Sequence, residues 1–534
     1  MTNPSSTVTV SEHGRLDLVA FSQDDSDDPR NWSKAKKIWV FAVTCLLSFI
    51  AVFGSSVYAP GEEQIIERYG VNQDVASTGL TTYVLGFGFG PLLWGPLSEM
   101  YGKRIIFLIS WAFMTVSMIP SAFVDNIIVI LVFRFFTGLA AACPLSNGSS
   151  VSADIFRDDM FSLARASSIF AFCSLSGPCF GTLVGFFVAA HSGKTLWVLR
   201  LHFFMSIAAI PFLFIFPETY GPRILEQRAK RLRAEGKTNA RAATEVHTKS
   251  TVQLVQGHII RPFAMFLREP VLQGVTLWIS LAYGIIYFFF EMYPVVFIEH
   301  IVDYRPCDLP IDGHFYQHGI EFQLCGLMFL PVAFGMLLAV ASYPQLLRIS
   351  QKIYIPGIEC KDIPTQPQEN NLKVVVFAVI LMPTSLFWFA WTSGHEVSWV
   401  SAALSGIPFG FSTVIIFFTF TAYLLQTYGV YATSAQSANT FVRSMVAAVF
   451  PIAAHSVIRN LGTKWGASTF GFISLGMIPI PLIFIRYGAR FREQSHFASA
   501  ARRMEDQMQT QGDSSTIMGI DMEKHDHVEA QSRG

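Results

Sequence analysis

Charged residues are scarce in this sequence. Asp, Glu, Lys and Arg together make up 14% of its 534 residues, whereas a soluble domain carries nearer a quarter. Positive and negative charges cancel, so no net basic field indicates a nucleic-acid partner. Apolar residues are abundant instead, at 51%, and they come in blocks of about 20, the length that spans a bilayer. These features predict a membrane protein.

Cysteine is too sparse and scattered for a disulfide framework, because the seven cysteines are spread along the chain from Cys45 to Cys360. The segment from Cys307 to Cys325 also holds two histidines, in a spacing that resembles metal ligands. A zinc site, a disulfide between these two cysteines and no special role are the alternatives, and the last is favoured. The sequence has no nucleophile–base set and no cofactor fingerprint. We therefore expect that the protein is not an enzyme and that it binds no metal and no cofactor.

Twelve apolar blocks follow one another along the chain, and their continuous pattern favours helices over a barrel. A polar linker divides them into six and six. The predicted parts are an N-terminal tail at 1–37, six spans within 38–216, a linker at 217–270, six spans within 271–486 and a C-terminal tail at 487–534. Inside the linker, LEQRAKRLRAEGK predicts a basic amphipathic helix near the membrane surface.

Lysine and arginine lie on one side of the predicted membrane: before span 1, between spans 2 and 3, in the linker and after span 12. Alternate loops are poor in basic charge and often acidic, as at Glu62, Glu63, Glu67 and Asp74. Because cytoplasmic loops carry the excess of basic residues, both termini, the linker and both tails are expected in the cytoplasm.

The segment GPLSEMYGKR predicts a tight cytoplasmic turn between spans 2 and 3. Gly102 permits the turn, and Glu99 can face a helix N-terminus, where negative charge is favoured. Asp154, at the inner end of span 4, is expected to pair with Arg104. This set forms a candidate cytoplasmic gate, although plain topological charge is the alternative. The gate candidates are Gly95, Glu99, Gly102, Lys103, Arg104 and Asp154.

Span 5 contains helix breakers in SLSGPCFGTLVGFF. Gly177, Gly181 and Gly185 recur every four residues, so they lie on one helix face and allow another helix to approach closely. Pro178 introduces a bend or weak point. The stretch is interpreted as a packing seam; it serves either as a surface on which helices rock during transport or as a static contact.

Three charged residues fall inside predicted spans, where ionisable groups are functional candidates by default. Glu291 lies in YFFFEMYPVVF, an apolar setting that suits reversible protonation; an interfacial carboxylate that reaches water is the alternative. Arg134 cannot lose its proton and would act as a fixed charge that tunes a partner. Arg443 is a further intramembrane charge. His455 is interpreted as a hydrogen-bonded packing residue.

The sequence resembles the major facilitator superfamily, specifically its fungal drug:proton antiporters with twelve spans. GPLSEMYGKR resembles the loop motif between spans 2 and 3, with Glu99 where many members have aspartate. FRFFTGLAAACPLSNG resembles the span 4 motif, which carries roles to Arg134 and Gly138, and GPCFGTLVG resembles the span 5 motif of antiporters. RPFAMFLREPV and SAQSANTFVRSMVAAVFP are typical of the fungal branch. LWVLRLHFF at 196–204 departs from it, because relatives usually have a Trp-Arg-Trp-like run there.

This resemblance implies an all-α membrane protein whose twelve transmembrane helices form two six-helix bundles around a central cavity. It implies alternating access and proton-coupled export of small amphipathic organic molecules, with Glu291 and Arg134 as proton-coupling candidates. The expected partners are the organic substrate, protons and the bilayer, with no nucleic acid, and the expected form is a monomer in the plasma membrane or, alternatively, the vacuolar membrane. Uptake of a polar nutrient or polyamine, by proton coupling or facilitated diffusion, is the alternative function, and a non-transporting receptor is a third.

Overall fold

Helices account for nearly all of the described structure. The computed structural model describes residues 8–10, 17–22, 25–156, 160–192, 196–236, 239–246, 256–298, 320–352, 369–394 and 397–504. Apolar segments of this length become helices because lipid satisfies no backbone group, so every hydrogen bond must close within the segment. Cys307, which entered the disulfide and metal alternatives, lies outside the described residues.

The N-terminal half begins with capped helices. The Ser33 side chain accepts from the backbone N–H of Lys36 at the start of the first helix, and Asn72 accepts from Val75 at the start of the third, which satisfies donors that a helix start leaves free. The helices are α1 (Lys34–Ser56), α2 (Glu62–Tyr69), α3 (Gln73–Tyr101), α4 (Lys103–Phe123), α5 (Ile127–Phe156), α6 (Met160–Ser192) and α7 (Trp197–Ile215).

The linker and the N-terminal tail form one small unit outside the spans. The linker contributes α8 (Gly221–Ala234), which is the predicted basic helix, then α9 (Ala243–Val246) and α10 (Arg261–Arg268). Three strands join tail to linker: β1 (Val8–Val10) pairs antiparallel with β2 (Asp17–Val19), and β2 pairs parallel with β3 (Ala240–Ala242). Arg228 of α8 binds the carboxylates of Asp25 and Asp27 in the tail. The sequence predicts tail and linker as separate parts, and the structure adds this contact between them.

The C-terminal half repeats the pattern of long helices with short ones between them. The helices are α11 (Pro270–Phe297), α12 (Phe322–Cys325), α13 (Leu330–Lys352), α14 (Glu369–Thr392), α15 (Trp399–Leu404), α16 (Gly406–Tyr428), α17 (Ala432–Met477) and α18 (Pro479–Gln494).

The predicted number of spans agrees with the helices. Within the described residues, ten helical ranges are long and apolar enough to cross a membrane. One of them, Ala432–Gln494, has 63 residues, far more than the roughly 20 that one crossing needs. It is interrupted at Gly462, where φ is 69°, so it supplies two crossings. Helix α3, with 29 residues, completes the twelve spans and the two six-helix bundles.

Glycines set the closest helix contact in the N-terminal bundle. A Cβ placed on Gly86 of α3 would lie 2.3 Å from the backbone oxygen of Phe135 in α5, and one on Gly138 of α5 would lie 2.1 Å from the backbone oxygen of Tyr83. No side chain fits at such distances, so the α3–α5 contact requires both glycines. This contact fixes the position of Arg134, which lies one turn before Gly138 on α5.

The two bundles touch along their length. We call the side that carries the linker and the α3–α4 turn the linker face, and the side that carries α2 the opposite face. Towards the linker face, the rings of Phe89 and Phe441 lie 5.3 Å apart. At mid-depth, Thr81 donates a hydrogen bond to the carbonyl of Ala448 at 2.8 Å. Towards the opposite face, the rings of Phe186 and Phe322 lie 5.0 Å apart.

Candidate functional site

Arg134 is held by backbone carbonyls of two neighbouring helices. Its Nε donates to the Gly79 carbonyl at 2.6 Å, and one terminal nitrogen lies 3.2 Å from the Ser55 carbonyl and 3.4 Å from that of Gly54. The guanidinium also lies over the rings of Tyr58 and Tyr83, at 4.3 and 4.8 Å from their centroids. The side chain is 2% exposed, so the charge is buried among carbonyl dipoles and π-faces, both of which attract a cation.

Two buried carboxyl groups meet where the bundles join near the opposite face. Glu62, at the start of α2, and Glu291, in α11, are 3% and 7% exposed, and Glu291 acts electrostatically on Glu62. Ser77 donates to Glu62 Oε2 at 2.7 Å, as does Gln73 at 3.1 Å. The Oε1 atoms of both glutamates are buried and accept no bond from another described residue. Two carboxylates buried close together repel each other when both are ionised.

His455, in α17 of the C-terminal bundle, lies next to this carboxyl pair. Its Nε2 lies 3.3 Å from Glu291 Oε2, and its Nδ1 lies 3.1 Å from the carbonyl of Pro451. The helix-packing interpretation from the sequence therefore accounts for only one of its two nitrogens. A ring held at one nitrogen by a carbonyl presents the other in a fixed direction, and here that direction is towards a carboxyl group.

Tyr58 links Arg134 to the carboxyl pair. Its hydroxyl donates to the Ala76 carbonyl at 2.8 Å, and the ring interacts electrostatically with Arg134, Glu62 and Glu291. Arg134 also acts electrostatically on Glu62. The structure thus places both proton-coupling candidates, Arg134 and Glu291, around one tyrosine, with Glu62 as a third member.

A tyrosine pair extends the cluster across the middle of the molecule. The hydroxyls of Tyr283 and Tyr287, one turn apart on α11, lie 3.2 Å from each other, and Tyr287 donates to Ser55 of α1 at 3.1 Å. The face of the Tyr283 ring is covered by Arg443, whose guanidinium lies 4.7 Å from its centroid. A buried polar path therefore joins α1 of one bundle to Arg443 of the other.

Arg443 differs from Arg134 in its partners. It is 4% exposed and lies between the rings of Tyr283 and Phe417, 4.7 and 5.0 Å from their centroids. Among the described residues, its buried Nε has no hydrogen-bond acceptor and no carboxylate pairs with it. Asn439, one turn earlier on the same helix, has both amide atoms buried without a partner.

The candidate gate forms an ion pair, but with a different lysine or arginine than expected. Asp154 binds Lys103, with Nζ 2.5 Å from Oδ2, whereas Arg104 donates to the carbonyl of Phe214 at 3.2 Å. The expected Arg104–Asp154 pair is therefore wrong. The difference arises because Lys103 is the first residue of α4 and is 5% exposed, so its buried ammonium requires the carboxylate.

Glu218 is a gate residue that sequence reasoning missed. Its carboxylate accepts from the backbone N–H groups of Lys103 and Arg104 at 3.0 and 3.2 Å, so it caps the N-terminus of α4 with negative charge. Gly102 makes this possible: its φ is 91°, and a Cβ there would lie 2.4 Å from Glu218 Oε2. Gly95 has open space around it. Glu99 acts electrostatically on Lys103.

The glycine seam of span 5 packs within its own bundle. Cβ atoms on Gly177 and Gly181 would lie 3.2 and 2.5 Å from the backbone oxygens of Phe49 and Phe53 in α1, and one on Gly185 would lie 2.9 Å from that of Val57. All three glycines thus face α1, as a close helix contact requires. Pro178 lies inside the continuous helix α6, where its carbonyl accepts from Thr182 at 3.0 Å.

A cavity lies beside the polar groups of α11 and α17. Its volume is about 420 Å³, and its lining includes Thr276, Ser280, Val442 and Val446, which falls within the usual size of small-molecule sites. The hydroxyls of Thr276 and Ser280 are buried without a partner. No group of three or more His, Cys, Asp or Glu side chains with metal-binding geometry occurs in the described part of the chain.

Two helical bundles with ionisable side chains buried between them are the architecture of a secondary membrane transporter. Residues 44–451 match the family model described as Major Facilitator Superfamily. The chain belongs to this family, so it is a transporter rather than an enzyme.

Curated relatives cover most of the chain. The "Ascochitine biosynthesis cluster MFS transporter" of Didymella fabae is 35% identical over 490 residues, which are 90% of this chain and 89% of that protein. The "Major facilitator superfamily multidrug transporter mdrA" of Aspergillus fumigatus is 31% identical over 92% of this chain and 78% of that protein. Among solved structures, the proton:xylose symporter XylE is similar in fold, with a TM-score of 0.56 at 14% identity over 85% of this chain and 97% of XylE.

Proposed function

We propose that this protein exports small amphipathic organic molecules from the cytoplasm in exchange for protons. The proposal is supported by the family and by relatives that are called efflux pumps and biosynthesis cluster transporters. The observation that supports proton coupling is the burial of Glu62 and Glu291, one from each bundle, which interact electrostatically. The protein works as a monomer in the plasma membrane, with both termini and the linker face in the cytoplasm.

The carboxyl pair couples a proton to closure of the opposite face. Glu62 belongs to the N-terminal bundle and Glu291 to the C-terminal bundle, so the two approach each other only when the bundles meet at that face. Bringing two carboxylates into contact in a buried setting is unfavourable unless one of them holds a proton. Closure of the opposite face therefore takes up a proton from the outside, and the return to the inward-open state carries it into the cell.

Arg134 is the fixed charge of this site. It keeps its proton at all physiological pH values, and it acts electrostatically on Glu62. Arg134 thus limits how tightly the pair holds the proton, which is needed for release on the cytoplasmic side. His455, against Glu291 Oε2, offers a route for the proton to and from that carboxyl group.

The gate and the seam act on the bundles' motion. The pair of Lys103 with Asp154 and the cap by Glu218 join α4 to α5 and to the start of the linker, so they keep the linker face of the N-terminal bundle rigid while the bundles move. The glycine seam of α6 against α1 lets these helices move together, which carries α2 and Glu62 with them.

The test is export from a pump-deficient yeast that expresses the full chain. Cells are loaded with rhodamine 6G, a radiolabelled azole and several flat organic acids, and efflux is followed with and without a proton uncoupler. We expect uncoupler-sensitive efflux that falls at least tenfold in Glu62→Gln and in Glu291→Gln, because an amide cannot carry the proton. Glu63→Gln is the matched control, since Glu63 is the exposed neighbour of Glu62.

Three results would contradict the proposal. Efflux that ignores the uncoupler would remove proton coupling. Full activity in both glutamine variants would remove the carboxyl pair from the mechanism. Saturable inward flux of a sugar, amine or vitamin, in place of efflux, would assign the protein to nutrient uptake.

A further inference from the structure

We infer that the substrate of this transporter is an organic anion, bound through its carboxylate or enolate group by Arg443 with the help of Asn439. The inference rests on the proposed export function and adds the chemical class of its cargo. It is carried by the contacts of Arg443 in the C-terminal bundle.

Arg443 carries a buried positive charge. A guanidinium remains protonated in proteins, and burying such a charge is costly unless it is paired and hydrogen-bonded. Arg443 is 4% exposed, yet its Nε has no acceptor and none of the described carboxylates pairs with it. Its described neighbours are aromatic faces, Tyr283 and Phe417. These rings attract a cation but accept no bidentate hydrogen bonds.

The amide of Asn439 lies next to Arg443 and is also buried. Asn439 lies four residues before Arg443, so the two side chains share one face of α17. Asn439 is 0% exposed, and both its Oδ1 and its Nδ2 are buried without a partner. A buried amide without bonds is rare, because the desolvation of each group must be offset. A guanidinium fork and an amide N–H on one helix face are the donors that a planar carboxylate accepts.

The cluster between the bundles carries more positive than negative charge. Arg134 and Arg443 contribute two fixed positive charges, because a guanidinium group keeps its proton in proteins. With the proton proposed above, the pair of Glu62 and Glu291 contributes one negative charge. The cluster is therefore left with one uncompensated positive charge, and Arg443, without an acceptor, is where it lies. An anionic substrate removes this imbalance, whereas a cationic substrate would increase it.

The surroundings indicate the shape of the anion. Tyr283 and Phe417 cover Arg443 with their rings, and the Tyr283 hydroxyl bonds that of Tyr287 3.2 Å away. Aromatic walls around a cationic centre favour flat, partly apolar acids. The cavity of about 420 Å³ is lined by Val442, the residue before Arg443, and by Ser280, three residues before Tyr283, so it lies next to this site on the same two helices. Aromatic or conjugated organic acids meet all of these conditions.

The experiment measures binding to the full-length protein in lipid nanodiscs without a proton gradient. The probes are two acids and their primary amides: 1-naphthoate with 1-naphthamide, and coumarin-3-carboxylate with coumarin-3-carboxamide. Each pair has the same shape and differs in charge. We expect at least one acid to bind ten times more tightly than its amide, which corresponds to about 1.4 kcal/mol.

Variants assign the preference to Arg443. Arg443→Met should remove the preference for the acid, Arg443→Lys should retain part of it, and Asn439→Ala should weaken binding of the acid more than that of the amide. Arg486→Met is the matched control, because Arg486 carries the same charge on an exposed part of α18. If Arg443→Met does not reach the membrane, the lysine and Asn439 variants decide.

The outcomes separate this inference from the proposed function. Equal binding of acid and amide in both pairs, or an acid preference that survives in the Arg443 variants, overturns the anion site even if cells show uncoupler-sensitive efflux of neutral dyes. An acid preference that is lost in the Arg443 variants supports the site even if efflux does not respond to the uncoupler, in which case the proton coupling is what fails.

Discussion

The two bundles treat their buried polar side chains differently. In the N-terminal bundle, Arg134, Tyr58 and Tyr83 all donate to backbone carbonyls of neighbouring helices. Buried polar atoms without a partner among the described residues occur in the N-terminal bundle at Glu62, Gln64 and Ser176, but they are more frequent in the C-terminal bundle. There they include atoms of Thr276, Ser280, Tyr293, Thr427, Gln436, Asn439, Arg443, Ser444 and Ser468.

The bonded polar groups of the N-terminal bundle therefore have a structural role, whereas the unpartnered polar groups of the C-terminal bundle are available to a ligand. A polar group bonded to a helix carbonyl gains nothing from a ligand and holds two helices in a fixed relation. A polar group that is buried without a partner carries an unfavourable desolvation term, which a ligand or a rearrangement of the bundle relieves. Arg134 and Arg443 show this difference most clearly, because they are the same residue type in different surroundings.

The largest expected effect is the loss of Arg134. Arg134→Met would leave the carbonyls of Gly79 and Ser55 without their charged donor, and hydrogen bonds to charged groups contribute about 1.5–3 kcal/mol each. We expect the free energy of unfolding to fall by more than about 3 kcal/mol, measured by denaturant titration of the purified protein in micelles. Arg486→Met, an exposed change of the same kind, should have no measurable effect. An unchanged midpoint in Arg134→Met would remove its role as a helix tie.

The next largest effect is expected at the gate. Asp154→Asn would leave the Lys103 ammonium, whose side chain is 6% exposed, without its carboxylate. We expect a loss of about 2 kcal/mol, below the usual range for a fully buried pair because Asp154 is 23% exposed. The double variant with Lys103→Met should recover part of this loss, and a double-mutant cycle measures the coupling.

A matched exposed pair serves as the control for the gate. Arg68 and Asp125 form an ion pair with the Asp125 side chain 61% exposed, so Asp125→Asn should not change stability measurably. Equal effects of Asp125→Asn and Asp154→Asn would show that burial does not strengthen the gate pair.

The sequence was sufficient for the fold because its signals are strong and local. Twelve apolar blocks predict the spans, the polar linker divides them into two halves, and the glycines at four-residue spacing predict a close helix contact. The exception was the small sheet, since strands of three residues such as Asp17–Val19 carry too short a pattern to predict pairing with a distant linker.

The site was predictable only in part, because its partners come together from distant segments. Glu291 and Arg134 could be selected because charges within spans are costly. Glu62 looked like one of several acidic loop residues, and only the return of the chain through α2 brings it to Glu291. Likewise, Lys103 and Arg104 are adjacent and carry the same charge, so the sequence could not decide which of them binds Asp154. The signal for Glu62 was its position after Pro60-Gly61, directly beyond span 1.

A smaller effect is expected from pH on the unit of tail and linker. Arg228 holds the pKa of Asp25 below its ordinary value, and Arg233 lowers the pKa of Glu245 to about 2. Groups with a depressed folded pKa stabilise a structure above their unfolded pKa, about 4 for Asp and Glu, and this contribution is lost as the pH falls through the folded pKa. The unit should therefore be intact at neutral pH and open between roughly pH 4 and 2.

Hydrogen exchange of the strand amides at 17–19 and 240–242 measures this opening. Asp25→Asn imitates the protonated carboxyl at every pH, so it should raise exchange at pH 7 in these strands while leaving the spans protected. Glu235→Gln changes an exposed carboxylate at the end of α8 and should leave exchange unchanged. If Asp25→Asn exchanges like the wild type, the contact with Arg228 does not hold the tail to the linker.

The smallest effect on stability is expected at Arg443, and this completes the comparison. Arg443→Met keeps much of the contact with Tyr283 and Phe417 and removes a buried charge without an acceptor. Because desolvation of that charge disfavours the folded protein, the free energy of unfolding should stay within about 0.5 kcal/mol of the wild type or rise. The same denaturant titration used for Arg134→Met measures it. A loss as large as that of Arg134→Met would mean that Arg443 is also a structural tie, and the two bundles would then differ in packing but not in role. A stable Arg443→Met protein with impaired export would place the substrate contact in the C-terminal bundle and the supporting frame in the N-terminal one.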